Sequence, residues 1–218
     1  DFSAAAYFFA KELYTKYKIP IGIINASMGG SPAEAWMSEE SLQAFPRYLE
    51  EAQKFKNANL IKEIEESDSK RIKAWYDLLN QKDEGYKNNA KWSDPRLIVG
   101  DWDTIKIPGY LSNTKLGSVN GAIWFRKNFN LSPAMAGKEA KLNLGRIVDA
   151  DSAFVNGVFV GTVSYQYPPR RYTIPANILR EGENTIVVRV VSNSGNAGFV
   201  IDKPYEIVFE NERVDLKG

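Results

Sequence analysis

The chain of 218 residues contains no cysteine and no histidine. Without cysteine there is no disulfide, no thiolate nucleophile and no cysteine metal site. That absence suits the cytoplasm and a bacterial envelope equally. Without histidine these residues alone cannot assemble a Ser-His-Asp triad, an imidazole general base or a histidine metal site. Carboxylate chemistry remains open. Charge of one sign is also lacking: 28 Lys and Arg against 27 Asp and Glu leave a net charge of +1. The balance gives no electrostatic case for nucleic acid or an anionic membrane as partner. No apolar run is long enough to cross a bilayer, and no stretch reads as a signal peptide. The first residues run straight into a helical pattern with no initiator methionine, so an internal segment of a longer protein is expected.

What is present is a globular composition, 44% hydrophobic and 12% aromatic, with enough apolar residues to build a core. Residues 3–17 read as a helix that Ser3 can cap, with Ala6, Phe9, Ala10, Leu13 and Tyr17 on one face. Ile19, Ile21, Ile23 and Ile24 then predict a buried strand, completing an α/β unit whose sheet neighbours must come from elsewhere. Residues 38–90 are dense in Lys and Glu. Leu60, Ile61, Ile64, Ile72, Trp75, Leu78 and Leu79 fit one or two amphipathic helices ending near Gly85. A packed helix with a solvated charged face is the ordinary reading of such a stretch; a partner-binding helix is the other.

From about residue 97 the period changes to two. Ile123, Phe125, Phe129 and Leu131 alternate with Trp124, Arg126, Asn128 and Asn130, and Leu142 and Leu144 repeat the pattern. Asn156-Gly157 between two short apolar runs is a two-residue hairpin signal. Short strands with polar turns, continuing through 170–193 and 205–214, indicate an antiparallel sandwich. The expected fold is therefore mainly β, a jelly-roll sandwich preceded by a partial α/β segment and a charged helical section. The expected boundaries are 1–48, 49–96, 97–210 and a tail, 211–218.

Two resemblances rest on these residues. The stretches 101–110, 121–131, 142–161 and 178–191 are similar, in order, to the galactose-binding-like, sugar-binding jelly-roll domain of family 2 glycoside hydrolases. "FSAAAYFFAKEL" (2–13) followed by "IPIGIINASMGGSPAEAW" (19–36) resembles the second sequence block of the SGNH-type sialate O-acetylesterases. In such esterases a jelly roll is inserted after this block, which is the order found here. The resemblance implies a carbohydrate esterase that removes acetyl groups through an acyl-serine intermediate without a cofactor or metal. It places the nucleophilic serine before Asp1 and the Asp/His block after Gly218, so this chain alone is expected to be inactive. The implied partners are an acetylated sugar such as sialic acid and the remainder of the catalytic domain, with no nucleic acid and no membrane. The implied location is the periplasm, envelope or exterior of a bacterium. The alternative is a non-catalytic carbohydrate-binding or structural module of a glycosidase.

The glycine turn carries the chemistry. Ester hydrolysis passes through a tetrahedral oxyanion that preorganised N–H groups stabilise. Glycine permits positive φ and leaves no Cβ in the substrate's way. Gly29 and Gly30 are the candidate donors, with Gly30 preferred from the esterase resemblance and Glu34 and Trp36 as candidate pocket walls. A Gly-Gly after a strand is also an ordinary βα connection. Ser27 and Ser31 have no histidine to activate them, and Ser31 is better suited to capping the following helix or holding the turn. Asp101, Asp103, Asp149 and Asp151 suit local hydrogen bonding at turns and strand ends better than a glycosidase pair. For sugar binding by the sandwich the candidates are Trp102, Trp124 and Arg126, with Tyr165, Tyr167 and Arg171 beside them. Trp124 and Phe125 cannot both face the core, and packing against a catalytic domain is the competing role for these aromatics.

Overall fold

The computed structural model describes residues 3–87 and 91–218. Its contacts divide the chain into two compact units, residues 1–70 and 71–218.

The first unit is helical. Helix α1 (Ala4–Tyr17) starts where the Ser3 hydroxyl accepts a hydrogen bond from the Ala6 N–H, and it ends at Lys18 in the left-handed conformation. Both ends thus satisfy backbone groups that a helix terminus leaves open. The buried strand expected over Ile19–Ile24 is not formed, and Ile24 is 92% exposed. A strand needs a neighbour for its N–H and C=O groups, and none of the described residues of this unit forms one. The α/β unit is therefore present only in its helix and its glycine turn. A single 3-10 turn follows over Ala33–Trp36. Helix α2 (Glu39–Leu42) is capped by Ser38, and α3 (Pro46–Lys54) opens on a proline, whose missing N–H costs nothing at that position. Helix α4 (Ala58–Lys82) begins at Asn57, whose side chain accepts from the N–H groups of Asn59 and Leu60, and it continues into the second unit. Among its described residues the charged section thus holds three α-helices where one or two were expected.

The second unit is an antiparallel β-sandwich of nine strands: β1 (Gly109–Tyr110), β2 (Gly121–Leu131), β3 (Ala140–Val148), β4 (Ala150–Val155), β5 (Val158–Val163), β6 (Arg171–Ile174), β7 (Gly182–Ser192), β8 (Gly198–Val208) and β9 (Arg213–Asp215). One sheet runs β1-β8-β3-β6 with β9 also paired to β8; the other runs β2-β7-β4-β5. The β2–β7 ladder is unbroken from Gly121 opposite Ser192 to Leu131 opposite Gly182. Alternation selects the core. Leu142 and Leu144, Ala153 and Val155, Val188 and Val190, and Tyr205 and Ile207 all point between the sheets. Asn156 and Gly157 join β4 to β5 with φ of 50° and 84°, the paired positive values that a tight hairpin needs. The expected tail, 211–218, instead supplies β9 and buries Leu216 in the core.

One ion pair lies inside this core. Asp151 on β4 accepts from the Arg170 Nε at 2.7 Å and from the Tyr172 hydroxyl on β6 at 2.7 Å, so it ties one sheet to the other. The Arg170 guanidinium also donates to the carbonyls of Gln166, Pro168 and Asp149. Burial pushes the Asp151 carboxyl up from its ordinary value, and the Tyr172 and Arg170 hydrogen bonds pull it back. Gly161 leaves room for this arrangement: a Cβ there would lie 2.2 Å from the Tyr172 ring.

Candidate functional site

The predicted site residues fall in two places, one in each unit. In the first unit the chain turns at Met28–Ser31. The Ser31 N–H and hydroxyl both close on the Met28 carbonyl, at 3.3 and 2.8 Å. Ser31 thus holds the turn, and the cap of the following 3-10 turn is Pro32, with no side-chain bond. Ser27 donates to the Asn25 side chain at 2.5 Å. Gly30 takes φ of +83°, and nothing lies within 4 Å of a Cβ built on Gly29 or Gly30. Neither glycine amide donates a hydrogen bond among the described residues. Both N–H groups are therefore open to a ligand. Trp36 is exposed and Glu34 half-buried within the 3-10 turn.

In the sandwich, Phe125, Phe129 and Leu131 of β2 pack inward, so Trp124 and Arg126 project from the opposite face of the sheet. That face is covered. Residues 83–87, after the end of α4, and 91–95 lie against it as a strap. Asp83 is the clamp: its carboxylate accepts from the Trp124 Nε1 at 2.8 Å, from the Arg189 Nε at 2.6 Å and from the Gly85 N–H at 3.0 Å. Arg189 stands opposite Trp124 in the β2–β7 register, so one acidic group meets both side chains. Above them, Tyr86 packs edge-on to Trp124 at 5.0 Å and Trp92 at 5.9 Å, and Phe154 stacks beside it at 6.2 Å. Gly85 must be small, because a Cβ there would lie 2.3 Å from the indole. Arg126 donates to the carbonyls of Asp94 and Pro95 at 2.9 and 2.5 Å. Asp94 itself is gripped by Arg96, whose side chain and N–H hold its carboxyl down at about 2. Burial raises the Tyr86 hydroxyl above its ordinary value, against the pull of Arg189.

Of the expected sugar contacts, Trp102, Trp124 and Arg126 all line one groove along β2. Trp124 is the outward residue of its pair, but the strap buries it and Arg126 is committed to strap carbonyls. Trp102 remains half-exposed, packed on Trp92 at 5.2 Å. It lines this open groove of about 900 Å3 along β2 with Trp92, Asp103, Leu116, Trp124, Arg126 and Asn128. A second groove, of about 400 Å3, lies at the end of α4 and is lined by Trp75, Lys82, Glu84, Trp92, Asn120 and Trp124. Trp92 lines both. Its position in a polar stretch without periodicity kept it out of the sequence-derived set; the Asp94-Pro95 turn after it was the available signal. The other expected sugar contacts lie elsewhere: Tyr165 and Tyr167 pair in the β5–β6 connection, and Arg171 sits on the other sheet. Three of the four aspartates are engaged locally. Asp103 pairs with Lys115, Asp149 accepts from the Asn193 and Ser194 N–H groups, and Asp151 holds Arg170. Among the described residues no group of three or more His, Cys, Asp or Glu is placed to hold a metal ion. Nor is any described helix long and apolar enough to cross a membrane.

Residues 86–196, from the strap to the end of the β7–β8 connection, match the model of a family described as the beta-galactosidase second all-beta domain. The chain belongs to this family. Among curated proteins it is similar to the sialate O-acetylesterases of Homo sapiens and Pongo abelii, 48% identical to each over 42 residues, which is 19% of this chain and 8% of theirs. The match thus spans less than a tenth of the length of those relatives. Among solved structures it is similar to a glycosyl hydrolase family 2 member from Bacteroides cellulosilyticus DSM 14838, at 24% identity and a TM-score of 0.44, over 51% of this chain and 18% of that one. An uncultured Clostridium sp. beta-glucuronidase aligns at 19% identity and a TM-score of 0.41, over 47% of this chain and 18% of its own. The sandwich is a β domain of the kind found in carbohydrate-active enzymes.

Proposed function

We propose that this chain is a segment of a carbohydrate O-acetylesterase of the sialate type, with the sandwich as its accessory domain. The observation that carries the reading is the 48% identity to sialate O-acetylesterases over 42 residues. The glycine turn supports it: two adjacent N–H groups are open, one of them at a residue with φ of +83°. In that role a serine oxygen attacks the acetyl carbonyl, and the carbonyl oxygen takes up negative charge. Gly30, with Gly29 beside it, donates to that oxygen until the sugar hydroxyl leaves and the acyl-serine forms; water then releases acetate. The serine and its base are supplied by residues outside this chain, which has no histidine. The second reading, a non-catalytic module of a glycosidase, is favoured by membership of the beta-galactosidase domain family.

The test is acetate release from O-acetylated sialic acid by the enzyme that carries this chain, measured beside the chain alone. Hydrolysis by the enzyme and none by the chain is the expected result. No hydrolysis by a folded enzyme moves the assignment to the glycosidase module.

A further inference from the structure

The outer face of the β6-β3-β8-β9 sheet carries charge in an ordered array. Leu142, Leu144, Tyr172, Ile174, Tyr205 and Ile207 fill the core, so alternation sends Lys141, Asn143, Arg171, Thr173, Glu206 and Val208 outward. The registers align them in two rows. Arg171 stands opposite Asn143, which stands opposite Glu206; Thr173 stands opposite Lys141, which stands opposite Val208 and then Arg213. Lys141 therefore has Arg171 diagonally on one side and Arg213 two strands away on the other. Neighbouring strands are about 4.8 Å apart, so all three cations fall within about 15 Å. Lys203 lines the same groove, which has a volume of about 330 Å3 and whose apolar and glycine lining is Gly145, Pro169, Pro204 and Val208.

The cations are unequally occupied. Glu206, the one carboxylate lining the groove, is held by the Asn143 amide at 3.2 Å and by Arg213 at 3.2 Å. Asp202, at the rim, pairs with Arg146 at 3.0 Å and lies 4.0 Å from Lys203; Asp215 accepts from the Lys217 N–H. Lys141 donates to the Thr173 hydroxyl at 2.6 Å, a neutral partner that leaves its charge unmatched. Arg171 is exposed, and its guanidinium has no partner among the described residues. Arg170, beneath, is neutralised by Asp151. In a chain with a net charge of only +1, this leaves two unmatched cations side by side in a groove with an apolar and glycine lining. A guanidinium fork and an ammonium together suit a carboxylate, and the lining suits the apolar face of a ring.

We infer that this groove binds an acidic sugar, with Arg171 and Lys141 on its carboxylate. The inference rests on the reading of the chain as part of a sialate esterase and names the group of the substrate glycan that the sandwich recognises. The same chemistry is offered by a nine-carbon sialic acid and by a hexuronic acid, and the experiment separates them. The full chain is titrated by calorimetry or NMR with sialyllactose, with a uronic-acid disaccharide and with lactose, none of them acetylated. The inference expects binding of an acidic sugar at least tenfold tighter than of lactose. It also expects loss in Arg171→Ala and in Lys141→Ala, and retention in Arg96→Ala, an exposed arginine outside the groove. Preference for sialyllactose assigns a sialic acid and preference for the disaccharide a uronic acid. Equal binding of lactose, no binding of either acidic sugar at millimolar concentration, or binding untouched by both variants overturns it. Because no ester is present, the result stands apart from acetate release: binding without hydrolysis fails the esterase reading alone, and hydrolysis without binding fails this inference alone.

Discussion

Asp83→Ala removes three hydrogen bonds at once and strands a charge. In the native protein the Asp83 side chain is 1% exposed and the Arg189 side chain 10% exposed. Arg189 already has its Nη2 buried without a partner, so Asp83 is its main compensation. Deleting one member of a buried ion pair costs about 3–5 kcal/mol, because the remaining charge stays desolvated and uncompensated. A sandwich of this size is stable by about 5–15 kcal/mol, so the loss is a large share of the total. With a urea dependence of about 2 kcal/mol per molar, the midpoint falls by about 2 M. Tryptophan emission reads the event directly, since Trp92 belongs to the strap and Trp124 lies beneath it. The double variant Asp83→Leu, Arg189→Met removes both charges and is expected to recover most of the loss, as apolar replacements of buried pairs do. A single-variant cost under about 1 kcal/mol, with Trp124 emission unchanged, would refute the clamp.

Gly161→Ala is expected to destabilise the sandwich by about 1–3 kcal/mol, because its Cβ would overlap the Tyr172 ring; a thermal melt measures it. Tyr172→Phe leaves Asp151 with one donor fewer in the core and is expected to cost about 1.5–3 kcal/mol, the range for a hydrogen bond to a charged group. Asp94 gives a pH signature. Its folded pKa of about 2 lies below the ordinary value of 3.8, so its contribution is complete above about pH 4 and is lost as pH falls through 2. The stability difference between the native protein and Asp94→Asn should therefore be present at pH 5 and vanish near pH 2; a constant difference would show that the Arg96 grip is not ionic.

Most of the sandwich was legible because its strands keep a strict period of two and its tightest hairpin carries Asn156-Gly157. Backbone pattern and turn chemistry agree there, so residue order alone points to the same register. Two features were not legible. The Ile19–Ile24 run has strand composition, yet a strand depends on partners, and composition does not reveal whether they are present. Alternation sets Trp124 against Phe125 for the core, and Phe125 takes it. The fate of Trp124 was decided by Asp83, some forty residues earlier in the chain, through a contact that no local periodicity encodes. The same holds for Asp151: its position next to Ala150 suggested a strand-end aspartate, whereas the β4 alternation turns it inward onto Arg170 and Tyr172. The glycine turn was legible as a turn; of the two roles open to Ser31, it closes the turn on Met28 and leaves the cap position to Pro32. The charged groove on the other sheet was missed because Lys141, Arg171 and Arg213 are far apart in sequence and are gathered only by strand order.

The most direct test of the esterase account is the turnover of O-acetylated sialic acid by the enzyme carrying this chain, with Gly30→Pro and Gly30→Ala beside the native residue and folding checked by circular dichroism. Proline removes the N–H and, with φ locked at about −65°, also rebuilds the turn, whereas alanine keeps the N–H at the cost of some strain at φ of +83°. The account predicts a fall in kcat of about 100- to 1,000-fold for proline, the effect of losing one oxyanion donor, and a much smaller fall for alanine. Native turnover in a folded Gly30→Pro enzyme would contradict it, and the turn would then be a connection and nothing more.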